Sequence, residues 1–415
     1  MPTKIRLEEK KEIEQIRYEL VGLKKNPFHP DPDPPDLPTV FAEYRKVWDK
    51  ISSKISLVRT KGYNQNLILF ANYGRGKSHI IKFLRSQLNS SEMQGIAFIS
   101  NLPQSLSFSD LYKRLITSVE KNVLMERIKP DKIENLHGQI GKDMESALKC
   151  LFDPNKSGLA WQWLQGVSTY ADERLGISVK SKIERGDELC LTALLALFDA
   201  LIKSNIKIIF VGIDELETAK TRTTGESRDT ERLLELIRRF IDEVQSNVFL
   251  LLAATEEWQK VWNRFGPLVS RFPSYDIETL EPISDIEEYK LFILEYLESE
   301  RVDDVKVWKE TCEMNKDQKS QITKEQLLKS GVSDIEIDEL YSKRESLEEY
   351  LLFPFTDDGI VQLFKITGGL PRNVVKSCHF LIEKSVEQAS DVNPVNVINA
   401  KFVLTSGPEI KPLLL

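Results

Sequence analysis

A chain of 415 residues, 41% hydrophobic and 29% charged, can bury a large core divided into two or three packed units, and this composition excludes a disordered or fibrous protein. The formal net charge of −7 excludes a generally basic nucleic-acid coat protein, and no apolar run approaches the roughly 18 residues of a membrane span. The four cysteines (150, 190, 312, 378) and four histidines (29, 79, 137, 379) lack metal-ligand spacing, which predicts reduced thiols and no structural zinc.

The N-terminus is charged throughout and lacks the apolar core of a signal peptide, so a cytoplasmic protein without a membrane partner is expected. Residues 3–25 read as a short charged helix ending near Gly22. The proline-rich run Asn26–Pro38 cannot be helix or inner strand, because each proline fixes φ and removes a donor. It reads either as a plain linker or, given Phe28, Leu37, Val40 and Phe41, as an extended strap lying against the domain.

From Phe41 helices and strands alternate. A helix over 41–58 precedes strand Leu67–Phe70, a glycine loop, helix Lys77–Leu88, strand Gly95–Ile99 and helix Phe108–Met125. Residues 126–185, with Trp161 and Trp163, break this rhythm and read as an inserted helical lobe. Helix Asp187–Lys203, strand Ile206–Ile213, helix Arg228–Gln245, strand Val248–Ala254, helix Glu256–Phe265 and a last strand around Tyr275–Ile277 complete the pattern. Such alternation predicts an α/β fold, a parallel sheet covered by helices on both faces. Only helical patterns follow Ser284. The expected organisation is a strap over 1–40, a core over 41–283, and a helical lid over 284–415 carrying an acidic insertion at about 300–350.

Between Phe41 and Ser91 ten Lys/Arg stand against two acids, whereas between Glu281 and Tyr350 twenty acids stand against ten bases. The basic block reads as a solvated surface beside a phosphate site or as a track for nucleic acid, so DNA enters as a candidate partner.

The residues Ala71, Asn72, Tyr73, Gly74, Arg75, Gly76, Lys77, Ser78 and His79 join an apolar strand to a helix, the context that a phosphate-binding loop requires. Its backbone amides would cradle the phosphates of ATP, Lys77 would reach the β- and γ-phosphates, and the Ser78 hydroxyl would ligate Mg²⁺. Ala71 stands where the motif has its first glycine. The strand Ile206–Ile213 ends in Asp214 and Glu215, which would supply a second Mg²⁺ ligand and a general base respectively. No role is needed for Glu217. Thr255, at the end of the next strand, either orients the attacking water or caps the helix that starts at Glu256.

This order of motifs resembles the AAA+ superfamily and within it the origin-recognition-like branch, which includes replication initiators, TnsC-type transposition regulators and BREX-type defence ATPases. The resemblance implies a P-loop NTPase (AAA+) core with an inserted helical lobe and a C-terminal helical lid. It implies a sensor at Thr255, an arginine finger at Arg271 or, failing that, Arg264, and a second sensor at Arg372 in Gly368-Gly-Leu-Pro-Arg. A finger acting on a neighbour implies a homo-oligomer. Hydrolysis that drives or gates a nucleic-acid-associated complex, in phage defence or mobile-element control, is the implied function. A nucleotide-gated switch for protein partners is the alternative.

Overall fold

The structure, a computed structural model, describes residues 18, 21–29, 45–90, 93–136, 138, 140–167, 170–183, 186–220, 228–301, 352–388 and 398–414. Most of the N-terminal helix, the strap beyond His29, His137, Cys312 and nearly all of the acidic insertion lie outside the described residues. The chain divides into two compact units, one over 46–280 and one combining 1–45 with 281–415.

The first unit is built on five strands, β1 (Gln65–Phe70), β2 (Gly95–Asn101), β3 (Ile208–Asp214), β4 (Val248–Ala254) and β5 (Ile277–Thr279), in the order β2-β3-β4-β1-β5. Every pairing is parallel. The inner strands β3 and β4 are buried at every position, as their unbroken apolar sequence requires when helices cover both faces. α1 (Arg45–Lys61) precedes β1, and α2 (Lys77–Leu88) follows it with Ile80, Ile81, Phe83 and Leu84 buried. β5 begins two residues later than the sequence suggests, because Ser274–Asp276 forms a 3₁₀ turn after Pro273.

Close packing sets the distance between α2 and the sheet. A Cβ added to Gly212 of β3 would lie 2.8 Å from Ile81 Cγ2 and 3.2 Å from the Phe210 ring. Ile81 is β-branched and buried, so it cannot swing aside. Gly212→Ala is therefore expected to destabilise this unit by about 1–3 kcal/mol. A chemical denaturation midpoint equal to the parent's would show that the helix can retreat.

The expected helix Phe108–Met125 is two helices, α3 (Phe108–Thr117) and α4 (Lys121–Arg127). At the break, the Ser118 hydroxyl donates to Leu115 O at 2.7 Å and accepts the Ile99 N–H of β2 at 3.0 Å. The inserted lobe is helical as expected, with α5 (Gly141–Cys150), α6 (Ser157–Leu164) and α7 (Ala171–Gly176). Trp163 is fully buried and its Nε1 donates to Ser181 O at 2.9 Å, whereas Trp161 is only partly covered. α8 (Asp187–Lys203) and α9 (Arg228–Glu243) follow, and both send apolar side chains into the same core. After β4 comes a 3₁₀ turn, Glu256–Trp258, then two single-turn helices, α10 (Gln259–Trp262) and α11 (Gly266–Val269), instead of one helix to Phe265.

The second unit contains α12 (Ile286–Ser299), α13 (Asp357–Thr367), α14 (Pro371–Gln388) and α15 (Ala400–Ile410) around a separate apolar core. The N-terminal segment belongs to it. Phe28 is fully buried and stacks on Tyr296 with ring centroids 4.9 Å apart, and Leu23 bridges Arg301. Asn26 Nδ2 donates to Glu383 Oε1 at 2.6 Å and to His379 O at 3.1 Å. The described end of the strap is thus packed into the helical unit.

Among the described residues no helix is long and apolar enough to cross a membrane, and no group of His, Cys, Asp and Glu could hold a metal ion by itself. Among the described residues Cys150, Cys190 and Cys378 form no disulfide.

Candidate nucleotide site

Parallel strands bring their carboxyl ends to one edge, and the loops that leave them define the site. β4 lies between β1 and β3, so the loop after β1 and the carboxylates after β3 flank the end of β4. The Ala71 amide donates to Ala254 O at 3.0 Å, which fixes the start of the loop against that end.

Gly74 and Gly76 take φ of 80° and 86°, a left-handed backbone that any side chain would resist, and Gly76 is the N-cap of α2. The turn places Lys77 and Ser78 on the first turn of α2, where free amides and the helix dipole favour an anion. Lys77 is 7% exposed. Its ammonium donates to Ala71 O at 2.6 Å and lies 5.8 Å from the centre of the Tyr73 ring. Burial lowers its pKa despite the opposing pull of Glu217, Asp214 and Glu215. The ammonium is short of counter-charge, which a polyphosphate would supply. The Arg75 guanidinium is tied down by Glu256 and by Leu280 O at 2.8 Å.

The Ser78 hydroxyl donates to Asp214 Oδ2, so the loop of β1 and the end of β3 meet through these two side chains. Asp214 is buried, and its other oxygen accepts the Glu215 N–H at 2.8 Å. A hydroxyl beside a carboxylate is an all-oxygen donor pair of the kind that Mg²⁺ prefers. The register sets Asn101 of β2 opposite Asp214, and the Leu102 amide donates to Asp214 O at 2.8 Å.

Glu215 adopts φ 57°, a conformation costing a non-glycine residue on the order of 1–3 kcal/mol, and its side chain is exposed. This kink leads directly into the 3₁₀ turn Leu216–Lys220. Glu217, half-buried, then accepts the Thr255 N–H on Oε2 at 3.1 Å. Sequence reasoning left Glu217 without a role. Its spacing of three residues from Asp214 was the available signal, but only the kink at Glu215 gives that spacing a direction. Thr255 is buried at the expected strand end, and its side chain makes no capping hydrogen bond to the following turn. Thr255 thus occupies the N-cap position of that turn without supplying a side-chain bond to it.

Of the three arginines proposed from the sequence, Arg264 and Arg271 follow β4 in the sheet unit and Arg372 belongs to the helical unit. Arg271 is held on the outer face by a forked pair with Asp242 of α9, both bonds 2.9 Å, and by Ser270 Oγ at 2.7 Å. This pairing drives the Asp242 carboxyl below its usual range. Arg264 is exposed near the end of the same segment. Arg372 is exposed on the first turn of α14 in the helical unit. The turn before it needs glycine, since Gly369 has φ 68° and a Cβ there would lie 1.9 Å from Ile283 O.

The loop, the buried lysine and the hydroxyl–carboxylate contact fall within the part of the chain matched by a family model, the KAP family P-loop domain, over residues 47–258. The chain belongs to the KAP P-loop family. The KAP match spans just over half of the chain and includes Ala71–Ser78, Asp214, Glu215, Glu217 and Thr255, but stops before Arg264, Arg271 and Arg372. Membership makes this unit a P-loop nucleotide-binding domain with a parallel-sheet core. No curated protein matches the chain.

Among solved structures, Cdc6p from Pyrobaculum aerophilum is similar at 11% identity and TM-score 0.46, over 92% of this chain and 70% of that one. The ADP form of Aeropyrum pernix ORC2 follows at 11% identity and TM-score 0.45, over 91% and 71%. Aeropyrum pernix ORC1 in complex with DNA reaches 12% identity and TM-score 0.34, over 94% and 87%. At these values no residue role in the KAP domain rests on them.

Proposed function

We propose that the chain binds ATP with Mg²⁺ at the carboxyl edge of its sheet and hydrolyses it, using the energy to change the state of a macromolecular complex. The observation that carries this reading is the meeting of Ser78 and Asp214 beside a buried, under-compensated Lys77. In the mechanism, the loop amides and Lys77 hold the β- and γ-phosphates, while Ser78 and Asp214 would hold the ion. Mg²⁺, when bound, neutralises charge developing on the phosphoryl oxygens. Glu215 accepts the proton of the attacking water. Thr255 supports that water at the β4 end.

Purified protein should release phosphate from ATP in the presence of Mg²⁺ and lose that activity in EDTA. Binding without turnover under any condition would leave the nucleotide-gated switch as the function. DNA enters as a partner to be tested, by adding duplex and single-stranded DNA to the same assay. At least five of the ten residues of the basic block are already engaged internally: Lys50 with Glu278, Lys54 with Asp276, Arg75 with Glu256, Arg85 with Ser118 O, and Lys77 in the loop. Protein partners therefore fit better than a nucleic-acid track on that block. Defence or mobile-element control rests on the sequence resemblance alone.

Assembly is part of the proposal. Arg271, paired with Asp242 on the outer face of its own chain, serves the γ-phosphate of a neighbouring protomer in a homo-oligomer, with Arg264 as the second candidate and Arg372 as the sensor from the lid. Turnover per protomer should then rise with protein concentration. Mixing Arg271→Ala with Lys77→Ala protomers should partly restore activity, because each supplies what the other lacks. Flat specific activity with no rescue on mixing would leave Arg271 a surface residue.

A further inference from the structure

Arg75 stands between Gly74 and Gly76, the two left-handed positions of the phosphate loop, and its side chain is 11% exposed. Its Nη1 donates to Glu256 Oε1, one residue beyond Thr255, and to Leu280 O at 2.8 Å. The loop after β1 is thereby tied to the exits of β4 and β5. Leu280 is gripped on its other side as well, since its N–H donates to O of Phe70, the last residue of β1, at 2.8 Å. The chain leaves the sheet unit immediately after Leu280. Ile283 is already bonded within the helical unit, its N–H donating to Gly369 O at 2.9 Å. Only Glu281 and Pro282 stand between these two attachments. Pro282 has a fixed φ and biases Glu281 toward an extended backbone, so the connection has few torsions with which to absorb a shift of Leu280.

We infer that Arg75 is a positioning residue that couples occupancy of the phosphate loop to the freedom of the junction over 280–283. This rests on the ATP-binding reading above. Glycines at 74 and 76 leave the backbone on both sides of Arg75 intrinsically free to turn. An anion seated on the loop amides restrains those torsions, and the guanidinium then holds Glu256 and the Leu280 carbonyl from a fixed base. The coupling is reciprocal, so a junction held in place favours the loop geometry that binds nucleotide.

Amide hydrogen exchange over 280–283, with and without the non-hydrolysable analogue AMP-PNP and Mg²⁺, reads this coupling. In the parent the nucleotide should slow exchange there by about fivefold or more, the lower end of ordinary coupling between sites. Arg75→Met keeps an apolar stem and removes the donors. It should bind AMP-PNP and lose the slowing over 280–283, while slowing within the loop itself persists. Glu256→Ala leaves every cation of the loop in place and removes one of the two acceptors, so its slowing over 280–283 should fall between the two. A merely structural arginine would lower the melting temperature and raise exchange at the junction equally with and without nucleotide, leaving the ratio as in the parent. A parent-like ratio in Arg75→Met, or in Glu256→Ala should Arg75→Met bind no nucleotide, would overturn the coupling. A parent that binds AMP-PNP by isothermal titration without any change over 280–283 would overturn it too and leave the nucleotide site standing. A parent that binds neither ATP nor AMP-PNP would remove this inference together with the reading beneath it.

Discussion

Lys77→Ala should weaken ATP binding by on the order of a hundredfold or more, since truncating one partner of a buried charge pair costs about 2–5 kcal/mol. The size of the effect follows from where the ammonium sits. It is 7% exposed, bonded to the carbonyl of Ala71 at the strand exit, and more desolvated than its carboxylate neighbours can offset. Phosphate is the partner that completes its environment. The same logic predicts an opposite effect on the free protein. Removing an under-compensated buried cation from the first turn of a helix, and placing alanine there, should not lower the melting temperature. Isothermal titration with ATP and a thermal melt of the same sample test both halves. Parent-like affinity would remove the loop as the site.

Glu215→Gln should leave ATP bound and slow hydrolysis by about 10² to 10⁴. The backbone argument for Glu215 is its strained φ of 57°, held by the bond from its own amide to Asp214. Strain at the residue following a candidate Mg²⁺ ligand is retained where geometry matters more than stability. Single-turnover measurement at saturating ATP separates this from a binding defect. A variant with the parent's rate would shift the base to another group, and Glu217, bonded to the Thr255 amide at the end of β4, would be the first to examine.

Much of this site was legible because strands and phosphate loops write themselves locally. Unbroken apolar runs at 248–254 and near 208–214 became the buried central strands, and glycines at 74 and 76 became the turn that opens α2. What stayed hidden depends on contacts between distant residues. Nothing near Ser118 announces that its hydroxyl will take an amide from β2 and break a helix. Nothing near Arg271 announces Asp242, which is 29 residues away. The turn after β4 is short because Trp258 and Trp262 are drawn inward, the latter against Phe70 and Phe272, and a helical period alone does not register that pull. Glu217 belongs to the same class, because its direction is set by one unusual torsion two residues earlier.

The helical unit is written in two pieces on either side of the sheet unit, and this has a consequence for synthesis on the ribosome. Phe28 emerges early, but its partners Tyr296 and Phe355 emerge more than 250 residues later. At about 5–20 residues per second the segment waits roughly 10–50 s with an aromatic side chain unburied. During that interval the sheet unit can close, bringing Lys50 and Lys54 onto Glu278 and Asp276 and so drawing its own two ends together. The long intervening loop is then already shortened when Tyr296 appears, and the entropy of joining Phe28 to it falls accordingly. The guest domain is thus the template on which its host finishes folding, and a mutation that delays the guest should show first as aggregation through the host's waiting N-terminal segment.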